Sequence, residues 1–230
     1  MRYMTLFCLL SILSCDKALD ADSIIDRSID AHGGWDAYST LHMVRYDKKY
    51  DLYTEDGSLE RSFDQKHLTH INPEYKNEIV RTDGSVLSFD GIEISKKMGD
   101  STMQVTAGDT GLIYSSFYVL AQPFKLKDPG ASLTYEGLDT LFNGRAAHVV
   151  KVEYKEEGKE NHPWWFYFDP VDFKMIGNMV DHNGSFSLIT NDEYVEYKGI
   201  IWNAKRTGYR TTPEGEILFK RSDYVYEYFP

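Results

Sequence analysis

Five Asp-Gly or Asn-Gly dipeptides limit what this chain can fold into more than any other feature of its sequence. They are Asp56-Gly57, Asp83-Gly84, Asp90-Gly91, Asn143-Gly144 and Asn183-Gly184. They lie between runs typical of β-strands, and tight hairpin turns favour such pairs because both central residues take positive φ. Short hairpin connections join antiparallel strands, whereas parallel strands need long crossovers. The dipeptides therefore predict an antiparallel meander.

The runs beside these turns alternate with a period of two, as strands with one buried face do. In the segment HMVRYDKKYDLY, one face carries His42, Val44, Tyr46, Lys48 and Tyr50. The predicted strands are 43–53, 58–67, 75–81, 85–89, 92–98, 132–140, 146–155, 164–168, 174–181, 186–196, 201–210 and 217–228. A meander of this length must curl or close to protect its edges. We therefore expect one domain with a strongly curved sheet.

Two stretches have helical periodicity instead. The first begins after an N-cap at 22–23 and ends at Gly33-Gly34, where a left-handed residue is wanted. Its residues at helical spacing are Ile24, Ile25, Ser28, Ile29 and His32. The second follows a cap at Asp109 and ends at Pro123, which cannot continue a helix. A further helical turn or a loop is expected at 35–41.

Aromatic residues make up 14% of the chain, which suits a curved sheet with an inner face lined by large rings. The segment HPWWFYFDP carries rings on both faces of one strand, so we expect that strand to be covered on both sides. Six rings are predicted to line an apolar ligand site: Phe117, Tyr118, Phe124, Trp164, Phe166 and Trp202. The alternative is that such rings form an ordinary hydrophobic core.

The first residues are typical of a signal peptide, with a basic start followed by an apolar run at 6–13. This run is about half of the roughly 20 residues that a transmembrane helix needs. The next four residues, ILSC, resemble the bacterial lipobox, in which the cysteine is acylated and the peptide is cut before it. We predict a signal peptide at 1–14, lipidation of Cys15, a polar tether at 15–23 and one folded domain at 24–230. The alternative is an ordinary signal peptide with an incidental cysteine.

The net charge limits the classes of partner that the chain can bind. The chain has 36 acidic residues against 25 basic ones, a formal net charge of −11. Nucleic-acid binding needs a basic patch, so it is excluded as a function class. Four isolated basic pairs are interpreted as solvated surface: Lys48-Lys49, Lys96-Lys97, Lys205-Arg206 and Lys220-Arg221. The membrane is expected as a partner only through the lipid anchor.

No motif in the sequence carries catalysis or metal binding. The HGG segment at 32–34 has no accompanying G-x-S-x-G nucleophile elbow, so it is interpreted as a helix end. His67 and His70 are three apart on a predicted strand and point to opposite faces, and no zinc-binding spacing is present. No catalytic residue, metal or cofactor is expected. A pair of carboxylates in a cleft, as in glycosidases, stays open.

Three stretches resemble a known family: AHGGWDAYSTLHMVRY, PFKLKDPGASLTYEGLDTLFNGRAAHVVKVEY and WFYFDPVDFKMIGNMV. They are similar to the outer-membrane lipoprotein-sorting (LolA/LolB-like) superfamily, and within it to a lipobox-bearing group of unknown function. The resemblance covers about 24–228. It implies a mainly β (α+β) fold, a single curved antiparallel sheet of about 11–12 strands that forms an incomplete barrel around two or three helices. It also implies a concave apolar cavity, which in members of known role shields acyl chains of lipoproteins.

The leading hypothesis is a non-enzymatic, membrane-anchored lipoprotein of the cell envelope that binds a lipid or a lipoprotein acyl chain in an aromatic-lined cavity. We expect it at the outer membrane, facing the periplasm or the cell surface. A second hypothesis is an envelope hydrolase that uses paired carboxylates or a His with an Asp. A third is a structural subunit of an envelope complex, which would make an envelope protein its partner.

Overall fold

The computed structural model describes residues 19–154 and 162–230. The predicted signal peptide and Cys15 lie outside these residues. The helices are α1 (Ala21–Ala31), α2 (Gly34–Thr40) and α3 (Ala107–Leu120), followed by a 3-10 helix at Phe124–Lys127. None of the helices in the described ranges is long and apolar enough to cross a bilayer.

The strands of the described residues form one antiparallel sheet. They are β1 (Met43–Tyr53), β2 (Leu59–His70), β3 (Lys76–Val80), β4 (Val86–Phe89), β5 (Ile94–Met98), β6 (Ser101–Met103), β7 (Ala131–Thr140), β8 (Ala146–Tyr154), β9 (Trp164–Phe168), β10 (Met175–His182), β11 (Ser185–Tyr197), β12 (Ile200–Thr211) and β13 (Ile217–Phe229). Their order is β6-β5-β4-β3-β2-β1-β13-β12-β11-β10-β9-β8-β7. The predicted mainly β fold is confirmed. The sheet is not closed into a barrel, and β6 and β7 are its edges.

Contacts of α3 show how strongly this sheet curls. Ile113 of α3 packs with Leu87 of β4, while the Tyr118 ring meets the rings of Tyr154 at the end of β8 and Trp164 in β9. Eight strands lie between β4 and β8, so a flat sheet would separate them by about 43 Å at a spacing of about 4.8 Å. A helix of 14 residues is only about 21 Å long. The sheet therefore wraps around α3.

The corner between α1 and α2 is fixed by a close approach to the sheet. Gly33 has φ +116°, and a Cβ placed on it would lie 2.2 Å from the carbonyl oxygen of Gly199. Next to it, His32 Nδ1 donates to the Ile201 carbonyl at 2.8 Å, and His32 Nε2 accepts from the Met175 N–H at 3.2 Å. The interpretation of HGG as a helix end with a left-handed glycine is confirmed.

Both long helices begin with a capping box, slightly earlier than predicted. In α1 the Asp20 carboxylate accepts from the Ser23 N–H at 2.8 Å, so the helix includes the end of the predicted tether. In α3 the cap is Thr106, and Asp109 is the third helical residue. The Asp109 carboxylate also pairs with Arg81 at 2.8 Å and with Lys96 at 3.1 Å. These contacts fix the start of α3 to the β3–β5 end of the sheet.

The rings of β9 are covered on both faces, as predicted. Phe166 and Phe168 lie in the main core under the helices. Tyr167 and the half-buried Trp165 belong to a second cluster on the opposite face, which includes Leu141 from the turn between β7 and β8. Core packing therefore holds this strand from two sides. The strand that the sequence did not predict is β6, because three exposed residues carry no alternation.

Candidate functional site

An open groove runs along one flank of α3. Four aromatic rings and three further residues line it: Tyr114, Phe117, Tyr118, Tyr154, Lys125, Asp128 and Pro129. Its volume is about 570 Å³, which falls within the range of about 300–1,000 Å³ typical of small-molecule sites. One wall comes from α3, and the other from the 3-10 helix and the end of β8. The groove therefore exists only because the sheet brings these distant elements together.

Ring contacts and hydrogen bonds hold the walls of this groove. Phe117 stacks on Tyr75 with ring centroids 3.9 Å apart, and the Lys125 ammonium lies 5.0 Å from the Phe117 ring. Tyr154 donates to the Lys125 carbonyl at 3.3 Å and accepts from the Tyr118 hydroxyl at 3.1 Å. Burial raises the pKa of Tyr154 to about 12, so its hydroxyl is neutral at physiological pH. The groove thus offers apolar ring faces with neutral hydroxyls.

A second cavity, smaller and more enclosed than the groove, lies beneath α3 against the inner face of the sheet. Its lining residues are Tyr46, Lys48, Ser116, Val119, Leu120, Gln122, Ile201, Trp202, Asn203, Tyr226 and Tyr228. Its volume is about 20 Å³, and a cavity needs roughly 10–15 Å³ to hold one water. Both ends of the Gln122 amide and the Oδ1 atom of Asn203 are buried without a hydrogen-bond partner. The cavity is small and polar.

Lys48 is the cation of this cavity. Its Nζ atom lies 5.0, 5.4 and 5.9 Å from the ring centroids of Tyr50, Tyr224 and Tyr226. No ion pair of the described residues involves Lys48. Burial lowers the pKa of Lys48 to about 8, and the charge of Arg206 acts in the same direction. Aromatic faces therefore take the place of a carboxylate around this ammonium.

Arg206 is a second buried cation on the same face of the sheet. Its Nε donates to Asn191 Oδ1 at 2.9 Å, and its Nη2 donates to Asn178 Oδ1 at 2.8 Å. Its side chain is 3% exposed, and the ion pairs within the described ranges leave it without a carboxylate. Neutral amides thus hold Arg206, so two uncompensated positive charges lie near each other.

The buried histidines have neutral partners. His67 contacts the Tyr46 hydroxyl and the Gln65 amide oxygen, both at 3.1 Å, and burial lowers its pKa well below the ordinary value. His148 contacts the Tyr135 hydroxyl at 2.8 Å. As expected for members of a strand, His67 is buried while His70 is exposed. Within the part of the chain that the structure describes, neither His67 nor His148 has the carboxylate partner of a catalytic dyad. The described residues also contain no cluster of three or more metal-ligating side chains.

The structure divides the six predicted ligand-binding rings among three places. Phe124 and Phe166 lie in the core, where Phe124 stacks on Tyr38 at 4.0 Å. Trp202 borders the enclosed cavity. Phe117 and Tyr118 line the groove, and Trp164 lies behind Tyr118, with ring centroids 5.4 Å apart. The helices fill most of the concave face, so these rings do not surround one cavity.

Lys48 and Arg206 are not recognised as buried from the sequence, where both basic pairs are interpreted as solvated surface. That interpretation is wrong for these two members of the pairs, one half-buried and one fully buried. It holds for Lys49 and Lys205, which are exposed. The signal that could have located Lys48 was the alternation, which already placed it on the face of Tyr46 and Tyr50. No comparable signal marked Gln122, which follows a helix.

Comparisons with known proteins identify the fold. No protein-family model matches the chain, and no curated protein matches its sequence. Among solved structures it is similar to a LolA superfamily protein from Nitrosomonas europaea, with a TM-score of 0.57 and 9% identity over 91% of this chain and 92% of that one. A DUF1329 family protein from Desulfovibrio piger gives a TM-score of 0.57 and 8% identity over 90% and 91%.

A third similar structure is a putative outer membrane lipoprotein-sorting protein domain from Vibrio parahaemolyticus. Its TM-score is 0.55, with 8% identity over 90% of this chain and 93% of that one. At such identities the likeness concerns the arrangement of strands and helices, since site residues need not correspond. The resemblance found in the sequence is confirmed at that level. This chain has the LolA-like fold.

Proposed function

We propose that this protein is a lipoprotein of the cell envelope that binds an apolar chain, from a lipid or a lipoprotein, in the groove along α3. The groove itself carries the proposal, because its lining is rich in aromatic rings and its volume suits a small ligand. The lipoprotein-sorting name of one structural relative adds support from a protein of the same fold. The outer membrane, facing the periplasm or the cell surface, is the proposed location.

The position of the groove fits a membrane anchor on Cys15. Lys127 pairs with Asp22 at 2.9 Å and with Asp26 at 2.8 Å, so the 3-10 helix that borders the groove lies against the first turn of α1. Five residues lie between Cys15 and Ala21, and the six steps along the chain from one to the other span at most about 20 Å. An acylated Cys15 would therefore keep the groove close to the bilayer surface, where an acyl chain can enter it.

In the groove and in the enclosed cavity, the lining residues favour binding over the hydrolase hypothesis. The lining of the enclosed cavity contains no carboxylate, and the groove contains one, Asp128, which pairs with Lys125. The hydroxyl of Ser116, which lines the cavity, donates to the Leu112 carbonyl at 2.6 Å. It therefore lacks the adjacent base that activates a serine nucleophile. The hypothesis of a structural subunit of an envelope complex stays a prediction.

The test is binding of a fluorescent fatty-acid probe to the purified protein, together with native mass spectrometry for lipid that co-purifies. Tyr114→Ala removes a half-exposed ring from the groove. We expect it to weaken probe binding about fivefold, since partial burial of one ring is worth about 1 kcal/mol. Phe142→Ala removes a comparably exposed ring outside the groove and is the matched control. Absence of both probe binding and bound lipid, or equal losses in the two variants, would contradict the proposal.

A further inference from the structure

The inner face of the sheet holds two positive charges in a protein that is otherwise strongly acidic. Lys48 and Arg206 act on each other electrostatically, and neither pairs with a carboxylate of the described residues. Buried charges in proteins are usually paired or coordinated. With a net charge of −11, the chain has many acidic side chains, yet no carboxylate of residues 19–154 and 162–230 pairs with Lys48 or Arg206. A bound anion would supply the missing charge.

Unused hydrogen-bonding groups converge on the same cavity. The Gln122 side chain is 5% exposed, and neither end of its amide makes a hydrogen bond of good geometry, although the Tyr118 hydroxyl lies near it. Two of the three tyrosine hydroxyls that line the cavity are already committed, because Tyr228 donates to the Asn203 carbonyl at 3.0 Å and Tyr46 contacts His67 at 3.1 Å. Lys48 and Gln122 also line the cavity, and neither has a hydrogen-bond acceptor among the described residues. Native structures rarely leave such groups unsatisfied.

We propose that the enclosed cavity beneath α3 binds a single carboxylate group, which accepts hydrogen bonds from the Lys48 ammonium and the Gln122 amide. Arg206 lies on β12, which β13 separates from Lys48 on β1, and its positive charge adds to the attraction. Arg206 itself keeps its hydrogen bonds to Asn178 and Asn191. This site is distinct from the groove along the flank of α3, and it does not depend on chain binding there.

The size of the cavity selects a carboxylate over a bulkier anion. A volume of about 20 Å³ is close to what one water needs, roughly 10–15 Å³. A planar carboxylate places two acceptor oxygens in little space, whereas a phosphate brings a tetrahedron of four oxygens and more negative charge to desolvate. The carboxylate could belong to a small free anion or to the end of a longer chain.

Thermal unfolding in matched salts tests the site directly. Ligands that bind only the folded state raise its Tm. In sodium acetate we expect the Tm of the wild type to exceed its value in sodium chloride of equal ionic strength by about 3 °C or more. Lys48→Met should abolish this difference. Lys49→Met removes the same charge from the exposed face of the same strand and should retain it.

The source of the carboxylate is distinguished by calorimetric titration with decanoate and with decanol. One outcome is that decanoate binds at least tenfold more tightly than both acetate and decanol, and that Lys48→Met lowers the affinity for decanoate to that for decanol. The natural ligand is then a chain with a carboxylate end. If acetate binds as tightly as decanoate, the natural ligand is a small anion. Gln122→Leu should weaken the binding of acetate and of decanoate without changing the binding of decanol.

Two results would overturn the proposal. The first is an acetate effect that is equal in the wild type and in Lys48→Met. The second is a Lys48-dependent effect of phosphate without one of acetate. Failure of the groove proposal looks different, because decanol and the fatty-acid probe would then not bind while the Lys48-dependent acetate effect remained.

Discussion

The lowered pKa of Lys48 implies that this residue costs stability at neutral pH, because its half-buried ammonium loses water and none of the described residues supplies a carboxylate partner. Burial lowers its folded pKa to about 8, against about 10.4 in an unfolded chain. Between these values the unfolded state holds a proton that the folded state has released, so the Lys48 contribution to stability rises with pH over this window. Below about pH 8 the full cost is present. A residue retained at such a cost is a candidate for function.

We expect Lys48→Met to stabilise the protein at pH 7 by about 1–3 kcal/mol, because it removes this cost while keeping the length of the side chain. Urea denaturation at pH 7 and at pH 9.5 measures the effect, which should be smaller at the higher pH. Lys49→Met, on the exposed face of β1, should change the stability by less than about 0.5 kcal/mol. A destabilised Lys48→Met would show that the tyrosine contacts of the ammonium outweigh its desolvation.

Gly33→Ala should be strongly destabilising, by about 3 kcal/mol or more. The new Cβ would lie 2.2 Å from the Gly199 carbonyl oxygen, which is backbone and cannot move without shifting the turn between β11 and β12. Gly34→Ala is the matched control, because φ is +81° there and no atom lies within 4 Å of the new Cβ. It should cost only the backbone strain, about 1 kcal/mol. Equal losses in chemical denaturation would mean that φ alone, and not the close approach, decides both.

For individual residues, the sequence predicted the backbone conformation better than it predicted the burial of the side chain. The left-handed glycine after α1 was predicted correctly, since a helix end followed by two glycines has few alternatives. Alternation placed Lys48 on the same face as Tyr46 and Tyr50. Its burial was nevertheless missed, because a charged side chain is normally exposed whatever the alternation indicates. What overrides the charge is a set of tyrosines on β13, and a single sequence does not show which strand pairs with which.

The start of α3 is an electrostatic anchor. Burial alone would raise the pKa of the Asp109 carboxyl, but hydrogen bonds from Thr106 and the ammonium of Lys96 lower it to about 2. Since the folded pKa is depressed, the stabilisation is present above the unfolded value of about 3.9 and is lost as pH falls toward 2. Arg81 adds a third contact at 2.8 Å. One carboxylate therefore joins this helix to β5 and to the residue that directly follows β3.

Asp109→Asn should destabilise the protein by about 2–4 kcal/mol, because it leaves Lys96 and Arg81 without their partner at a largely buried position. Hydrogen exchange should show that the amides of α3 lose protection before those of the sheet. Asp100→Asn, on the exposed turn between β5 and β6, is the control and should leave protection unchanged. Uniform loss of protection throughout the molecule would contradict a local anchoring role.

Element boundaries followed from local signals wherever those signals were strong. The Asp-Gly and Asn-Gly turns marked hairpins, and the alternating runs became strands within a few residues. Both N-caps lie two or three residues earlier than predicted, since Asp20 and Thr106 each form a reciprocal pair with the third helical residue. The strand β6 was missed because three residues cannot display a period. Its existence depends on pairing with β5.

The groove and the cavity are properties of the whole molecule, and no segment predicts them alone. Both depend on α3 crossing a sheet that curls until β4 and β8 meet the same helix. Tyr118 and Tyr154 are 36 positions apart, and Lys48 and Gln122 are even farther apart in the sequence. Periodicity assigned each ring to a face of the sheet. Which rings remain accessible depends on how much of the concave face the helices cover. Phe124 and Phe166 became core for that reason, while Phe117 and Tyr118 stayed at a surface.

Attachment to a membrane is the last prediction, and it concerns the chain as a whole. Each buried methylene of an acyl chain contributes about 0.8 kcal/mol, so two or three chains on Cys15 would anchor the protein stably. A net charge of −11 gives no attraction to anionic lipid that could replace them. Cys15→Ser should therefore abolish palmitate incorporation and move the protein from the membrane to the soluble fraction, or leave an uncleaved precursor. Cys8→Ser alters a residue of the predicted leader and should leave fractionation unchanged. A mature, membrane-bound Cys15→Ser protein would show that another part of the molecule holds it at the bilayer.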